Sequence, residues 1–269
     1  MEIGHSLVLL VFIGYWKLIF TKMKALILAA GYATRLYPLT KEYPKPLLTV
    51  KHKPIIDFII DKLNTIDEID EIIVVTNSKF VSRFRKWQQK VHTQKRIILV
   101  DDLTRDNLDR RGAIGDIDFT INKKRIEDDL LVVGGDNLFD ADLKDFILFV
   151  NARRNSPVIG AYNIRDKLNA KNYGVLKLDK NNRLIDFQEK PKNPKSTLVA
   201  MCLYYFPKER LGLIKEYLKN KIKKTDATGL YIDWLRKKFP VYGFVFDGKW
   251  YDIGDHKFYN EAKYKFQKN

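Results

Sequence analysis

A lysine framed by two prolines, Pro44-Lys45-Pro46, stands ten residues beyond Arg35, which itself follows the small residues Ala29-Ala30-Gly31. Small side chains let a backbone approach an anion closely, and successive peptide N–H groups in such a loop form an anion-binding concavity. Thr34 adds a hydroxyl donor and Arg35 a permanent cation. The prolines restrict the backbone on both sides of Lys45, so its ammonium is aimed. No G-x-x-x-x-G-K-[ST] and no G-x-G-x-x-G is present, so this is not an ordinary phosphate loop. The plain alternative is a strand, a turn and a polar loop. The combination of small residues, Thr-Arg and a proline-framed lysine favours a phosphate site.

Two carboxylates add a second kind of chemistry. Asp136 follows the apolar run Leu130–Val133 and two glycines, and Asp252 follows the run ending at Phe246 and Gly-Lys-Trp-Tyr. Ligands of open α/β sheets bind beyond the carboxyl ends of the strands. An Asp just past a strand end also serves as a cap or turn residue. Two that converge on one cleft would make a hard-cation site suited to Mg²⁺, which takes one or two carboxylates and leaves positions for phosphate oxygens.

The elements that must position these groups alternate. Lys24–Ala29 reads as a strand, and Pro54–Leu63 as a helix with Ile55, Phe58, Ile59 and Leu63 on one face. Further strands are expected at Glu71–Thr76, Arg96–Val100, Leu130–Val133 and Val158–Tyr162, with helices at Lys79–Lys90, Gly112–Ile121 and Asp142–Arg154. Asp101–Arg111 reads as a loop. This alternation predicts a doubly wound, mainly parallel, Rossmann-like α/β sheet. The pattern then changes. Tyr173–Leu178 and Arg183–Glu189 flank Lys180-Asn181-Asn182 as an antiparallel hairpin, an inserted lobe. Leu198–Phe206 is a long strand, Lys208–Lys223 and Gly229–Lys238 are helices, Val241–Phe246 is a strand and His256–Phe266 a closing helix.

The 269 residues suit one large domain or two small ones, and a hydrophobic fraction of 45% can build its core. Cys202 is the single cysteine, so no internal disulfide forms and a cytoplasmic setting is expected. The net charge of +16 implies an anionic partner. The basic residues are scattered rather than blocked, and no nucleic-acid-binding module is visible, so phosphorylated small molecules fit better than nucleic acid. Residues 1–22 differ from the remainder. The uncharged stretch Ile3–Trp16 is too short for the roughly 17 to 25 residues of a bilayer span, and it lacks the basic start of a signal peptide. An artefact of start-site choice is expected, with an interfacial anchor as the alternative. The domain proper is then 23–269, and a membrane partner is not expected.

The opening stretch resembles the sugar-phosphate nucleotidyltransferases, the family of glucose-1-phosphate thymidylyltransferase-like enzymes. Their G-x-G/A-T-R-L-x-P-L-T and P-K-P-L segments are matched by Gly31, Ala33, Thr34, Arg35, Leu36, Pro38, Leu39 and Thr40, then Pro44, Lys45, Pro46 and Leu47. Gly135-Asp136-Asn137 resembles the family's G-D-N metal motif, and Trp250, Asp252, Ile253 and Gly254 its W-x-D-I-G motif. The usual Thr-Pro after that motif is replaced by Asp255-His256. Tyr173-Gly174-Val175 and Glu189-Lys190-Pro191 resemble the sugar-phosphate site, and Gly112-Ala113-Ile114-Gly115 the glycine segment under the base. Thr225-Asp226 resembles a T-D segment near the sugar. No base reader is assigned within Thr104–Arg111.

The resemblance implies a Mg²⁺-dependent enzyme that couples a nucleoside triphosphate to a sugar 1-phosphate, releasing pyrophosphate. It implies Arg35, Lys45 and Asp136 as catalytic residues. Leu28, Ala29, Ala30, Gly31, Thr34, Arg35, Lys45, Gly112 and Asp136 would contact the nucleotide. Tyr173, Gly174, Glu189 and Lys190 would hold the sugar phosphate, and Asp136 with Asp252 the metal. A cytidylyltransferase acting on an alcohol or polyol phosphate, a catalytically silent nucleotide-sugar-binding subunit and a basic nucleic-acid binder are the alternatives. The base, the sugar and any homo-oligomer stay open.

Overall fold

The computed structural model describes residues 22–220 and 228–266. In chain order these form β1 (Met23–Leu28), a loop with two 3-10 turns (Thr34–Leu36, Lys45–Leu47), β2 (Thr49–Val50), β3 (Lys53–Pro54) and α1 (Ile55–Asn64). β4 (Ile69–Thr76), α2 (Val81–Gln88), β5 (Arg96–Asp101), α3 (Gly112–Lys124), β6 (Asp129–Gly134), β7 (Asn137–Phe139) and α4 (Lys144–Asn151) follow. Next come β8 (Val158–Asn163), α5 (Lys167–Ala170), β9 (Gly174–Leu178), β10 (Leu184–Glu189), β11 (Leu198–Phe206) and α6 (Gly212–Asn220). α7 (Thr228–Arg236), β12 (Tyr242–Phe246), β13 (Trp250–Asp252) and α8 (His256–Lys265) complete the described chain.

The central sheet runs β10-β9-β11-β6-β1-β4-β5, with β8 paired to β11 and β12 paired to β8. The β6-β1-β4-β5 block is parallel, and β11 meets β6, β8 and β9 antiparallel. The parallel strands are apolar on both faces because helices cover both. Ala25, Ile27, Ile72, Val74, Leu131 and Val133 face α1, α2 and α4 through Ile59, Phe84 and Phe146. The alternate residues Leu26, Ile73, Val75, Leu130 and Val132 face α3, α6 and α7 through Ile117, Ile214 and Leu235. Each fully buried aliphatic side chain of this kind stabilises the fold by about 2 kcal/mol. The doubly wound, mainly parallel arrangement is therefore present.

Three local differences from the expected elements have physical causes. Pro54 caps α1 instead of opening it, because its ψ of 141° is extended. α2 starts at Val81, after a turn in which Asn77 Oδ1 accepts the Phe80 amide. The β9–β10 hairpin forms the edge of the central sheet through a Val199–Val175 pairing, so it is continuous with the sheet and not a detached lobe. Its turn is shaped by Asp179, whose Oδ1 accepts the amides of Asn181 and Arg183. Residues 1–21 of the N-terminal extension and the Thr225-Asp226 segment lie outside the described residues. Among the described residues no helix is long and apolar enough to cross a membrane.

Candidate active site

The carboxyl ends of β1 and β6 meet at Gly135. Its amide donates to Leu28 O at 2.8 Å, and a Cβ there would lie 2.8 Å from that oxygen and 3.1 Å from Pro46 Cγ. Glycine therefore allows the turn after β6 to pack against the proline-framed turn after β1. The consequence is a direct pairing: Lys45 Nζ donates to Asp136 Oδ2 and to Ile253 O, the latter at 2.9 Å. Burial disfavours the charged lysine, yet the negative charges of Asp136 and Asp252 outweigh it and hold the ammonium above the ordinary lysine range.

Asp252 arrives by a separate device. β13 pairs antiparallel with β7, which sets Asp252 opposite Asn137, the residue after Asp136. Burial, reinforced by the Asp136 charge, pushes the Asp252 carboxyl up to about 6 despite Lys45, Arg35 and Lys190. Arg35 is close by: a methyl on Gly254 would lie 3.9 Å from both Arg35 Nη atoms and from Asp252 Oδ2. Two carboxylates that repel each other beside a cleft form a donor set that a hard divalent cation would satisfy. Among the described residues no group of three or more His, Cys, Asp or Glu could hold a metal. Two carboxylates without a protein cage is the pattern that suits Mg²⁺ completed by phosphate oxygens.

A cavity of about 460 Å³ opens from this point. Arg35, Lys45, Asp136, Tyr173, Gly174, Glu189, Lys190 and Asp252 all line it, so both predicted groups of residues meet there. Trp250 of the W-x-D-I-G-like stretch lines it as well, as do Phe187, Tyr204, Thr228 and Gly229, which the sequence pattern had not singled out. Tyr204 lies inside an apolar strand and Gly229 stands in no motif, so only the fold reveals them. A Cβ on Gly174 would lie 2.4 Å from Phe187 Cζ, and one on Gly229 only 2.1 Å from Glu189 Oε2. The two glycines thus leave room for the ring and the carboxylate between them. Burial pushes the Glu189 carboxyl above its usual range, against the pull of Lys190. The Lys190 amide closes the hairpin onto Tyr173 O at 3.0 Å. The hydroxyls of Tyr204 and Thr228 are 2.7 Å apart.

Of the nucleotide-contact candidates, Arg35, Lys45 and Asp136 line this cavity and the other six do not. Leu28, Ala29, Ala30, Gly31 and Thr34 lie along the end of β1 and the following loop, and Gly112 opens α3 with φ +74°. The Ala29 amide is spent on Val75 O, so a run of free amides begins at Ala30. Among the described residues nothing accepts from the amides of Ala30, Gly31, Tyr32 or Ala33. The loop is braced from behind: Asn77 Nδ2 donates to Ala30 O, and Tyr32 OH meets Thr104 Oγ1 at 3.0 Å. Thr104 in turn donates through its amide and hydroxyl to the buried Asp102. Arg111 Nε donates to Asp102 O, and its guanidinium lies 4.2 Å from the Phe119 ring centre. The departure at Asp255-His256 leaves the turn intact, because Asp255 Oδ1 caps α8 at the Phe258 amide and His256 Nε2 bonds Tyr37 O.

The sequence profile of the nucleotidyl transferases matches residues 24–269. The bifunctional protein GlmU of Methanocaldococcus jannaschii is 32% identical over 239 residues, covering 86% of this chain and 51% of that protein. A bifunctional sugar-1-phosphate nucleotidylyltransferase/acetyltransferase of Sulfurisphaera tokodaii is 31% identical over 237 residues, covering 86% of this chain and 52% of that protein. The chain thus spans about half the length of these curated relatives. Among solved structures, a UDP-glucose pyrophosphorylase complexed with UDP-glucose superposes with a TM-score of 0.76 at 19% identity, covering 90% of this chain and 97% of that one. At that identity the likeness speaks for the fold alone.

Proposed function

Since the chain belongs to the nucleotidyl transferase family, we propose that it transfers a nucleotidyl group from a nucleoside triphosphate to a sugar 1-phosphate, giving a nucleotide-sugar and pyrophosphate. The observation that carries this is the cavity in which Lys45, Asp136 and Asp252 form one cluster beside Arg35, with Glu189 and Lys190 on the facing hairpin. Cations and paired carboxylates at one end and a half-buried carboxylate next to a lysine at the other suit an acceptor that carries both phosphate and hydroxyls.

Lys190 binds the acceptor phosphate as a point charge, and Glu189 accepts hydrogen bonds from its hydroxyls. An acceptor phosphate oxygen forms a new bond to the α-phosphorus in line, the bond to the β-phosphate oxygen breaks, and pyrophosphate leaves with that electron pair. No covalent enzyme intermediate is needed, so catalysis consists of positioning and charge stabilisation. Lys45 neutralises charge developing at the α-phosphate, Arg35 faces the leaving pyrophosphate, and the free amides from Ala30 to Ala33 cradle the same β- and γ-phosphates. Mg²⁺ held by Asp136 and Asp252 would supply charge neutralisation between the two substrates' phosphates.

The test is a matrix of nucleoside triphosphates against sugar 1-phosphates and polyol phosphates, read by pyrophosphate release with and without Mg²⁺. Release that requires a sugar 1-phosphate and a divalent cation supports the proposal. Release with a polyol phosphate alone, or binding of nucleotide-sugar without turnover, overturns it.

A further inference from the structure

Asn137 follows Asp136 and stands opposite Asp252 in the β7–β13 ladder. Its side chain is 3% exposed, and both of its ends are engaged. Nδ2 donates to Met201 O and, at 3.4 Å, to Cys202 O, while Oδ1 accepts from Trp250 Nε1 at 2.5 Å. One amide group therefore joins three separate segments: the strand after Asp136, the strand that ends in Asp252, and the middle of β11.

The receiving segment is irregular in a way that makes it a docking point. β11 pairs Ala200 with Ala161 and then Tyr204 with Ile159, so it carries extra residues relative to β8. Cys202 within this bulge has φ +53°, in the left-handed region. A bulge leaves ladder groups unpaired, and a buried carbonyl needs a donor from elsewhere. Among the described residues the β7–β13 ribbon has only three residue pairs and no other strand partner. Two-stranded ribbons are marginal by themselves, so the placement of this one depends on ties to the central sheet. Asp136 lies two residues beyond Gly134 at the end of β6, whereas Asp252 reaches the site through the ribbon.

We propose that Asn137 is a positioning residue that sets the separation of the Asp136 and Asp252 carboxylates by tying the β7–β13 ribbon to the β11 bulge through both ends of its side-chain amide. The proposal rests on the assignment of those two carboxylates to a divalent cation. Asn137 is neutral, so any change in cation affinity on its loss reports geometry and not charge.

The experiment titrates Mn²⁺ alone into the full chain and reads free Mn²⁺ by electron paramagnetic resonance. Asn137→Ala and Trp250→Phe are compared with the wild type, and circular dichroism checks that each is folded. Each variant is expected to weaken Mn²⁺ binding by about tenfold, the size typical of lost support around a metal ligand. The double variant is expected to be no weaker than the weaker single variant, because both break one chain of bonds. The Trp250 indole N–H resonance in a ¹H–¹⁵N spectrum of Asn137→Ala should also move upfield. Should Asn137→Ala not fold, Trp250→Phe decides the question. Unchanged Mn²⁺ affinity in a folded Trp250→Phe, or losses that add in the double variant, overturns the tie. Failure of the metal assignment is distinguishable: Asp252→Asn would then leave the wild-type Mn²⁺ affinity unchanged, and the proposal would fall with it.

Discussion

The two sides of the cleft use their polar groups in opposite ways. On the proposed nucleotide side the polar groups are bonded to one another, Tyr32 to Thr104, Thr104 to Asp102 and Asn77 to Ala30 O, while among the described residues the amides from Ala30 to Ala33 have no acceptor. On the proposed acceptor side, among the described residues, no hydrogen bond or ion pair engages the side chains of Glu189 or Lys190. Lys190 is exposed, whereas the Glu189 carboxylate is half-buried without a partner, and at functional sites the cost of such a group is tolerated because a ligand removes it. On the proposed function, the nucleotide side is thus a braced backbone loop, and the acceptor side is a pocket around one carboxylate without a partner. Loss of a side chain should accordingly affect the acceptor side more through binding and the nucleotide side more through stability. The cluster between them should affect turnover.

That middle cluster carries the largest expected effect. Lys45→Ala and Asp136→Ala should each lower turnover by about a hundredfold or more while the circular dichroism spectrum stays that of the wild type. Near wild-type turnover in either would remove the cluster from the chemistry and merge the two sides into one binding surface.

The acceptor side comes next. Glu189→Gln should raise KM for the acceptor by about tenfold and leave KM for the nucleotide unchanged, as measured by initial rates. Its effect on stability has the opposite sign. Burial raises the folded pKa of Glu189 above its unfolded value, near 4.5. Its contribution to stability is then fully present below the unfolded pKa and is lost as pH rises through the folded value. At pH 7 the variant should melt up to about 3 °C above the wild type, and the gap should close in acid. A variant that melts lower at pH 7 would mean that the carboxylate is a structural partner and not a waiting ligand.

Gly229→Ala sharpens the same point. The new methyl would sit 2.1 Å from Glu189 Oε2, so the carboxylate must move. A rise of several-fold in acceptor KM is expected, with nucleotide KM unaffected, again by initial rates. Equal shifts in both constants would show that the two sides are not separable.

The smallest effect belongs to the nucleotide side. Tyr32→Phe removes only the bond to Thr104 and should destabilise the protein by about 1 kcal/mol in a urea melt, with acceptor KM unchanged. A catalytic loss exceeding the loss of stability would show that the brace itself meets substrate.

Much of this site was legible before any coordinates. The phosphate loop, Asp136, Asp252 and the hairpin pair were visible because each sits in a short contiguous motif whose residue types match a chemical need. The helices and strands were visible because apolar periods of 3.6 and 2 are local properties of the chain. The hairpin as sheet edge was less so, since alternation marks a strand but not its partner.

What the sequence by itself determined is therefore the alternation of strand and helix, the small residues at the phosphate loop and the charged groups that converge. Tertiary structure alone decided which polar groups are already spent. Ala29 has the right size for the loop, yet its amide is taken by Val75 O on the neighbouring strand. Asn137 stands in a metal-like motif, yet its side chain is held by Trp250 and the β11 bulge. Gly229 carries no motif, yet its missing side chain makes room for Glu189. Each of these facts joins residues far apart in the chain, and hydrogen bonding and excluded volume depend on proximity in space, which local pattern does not encode.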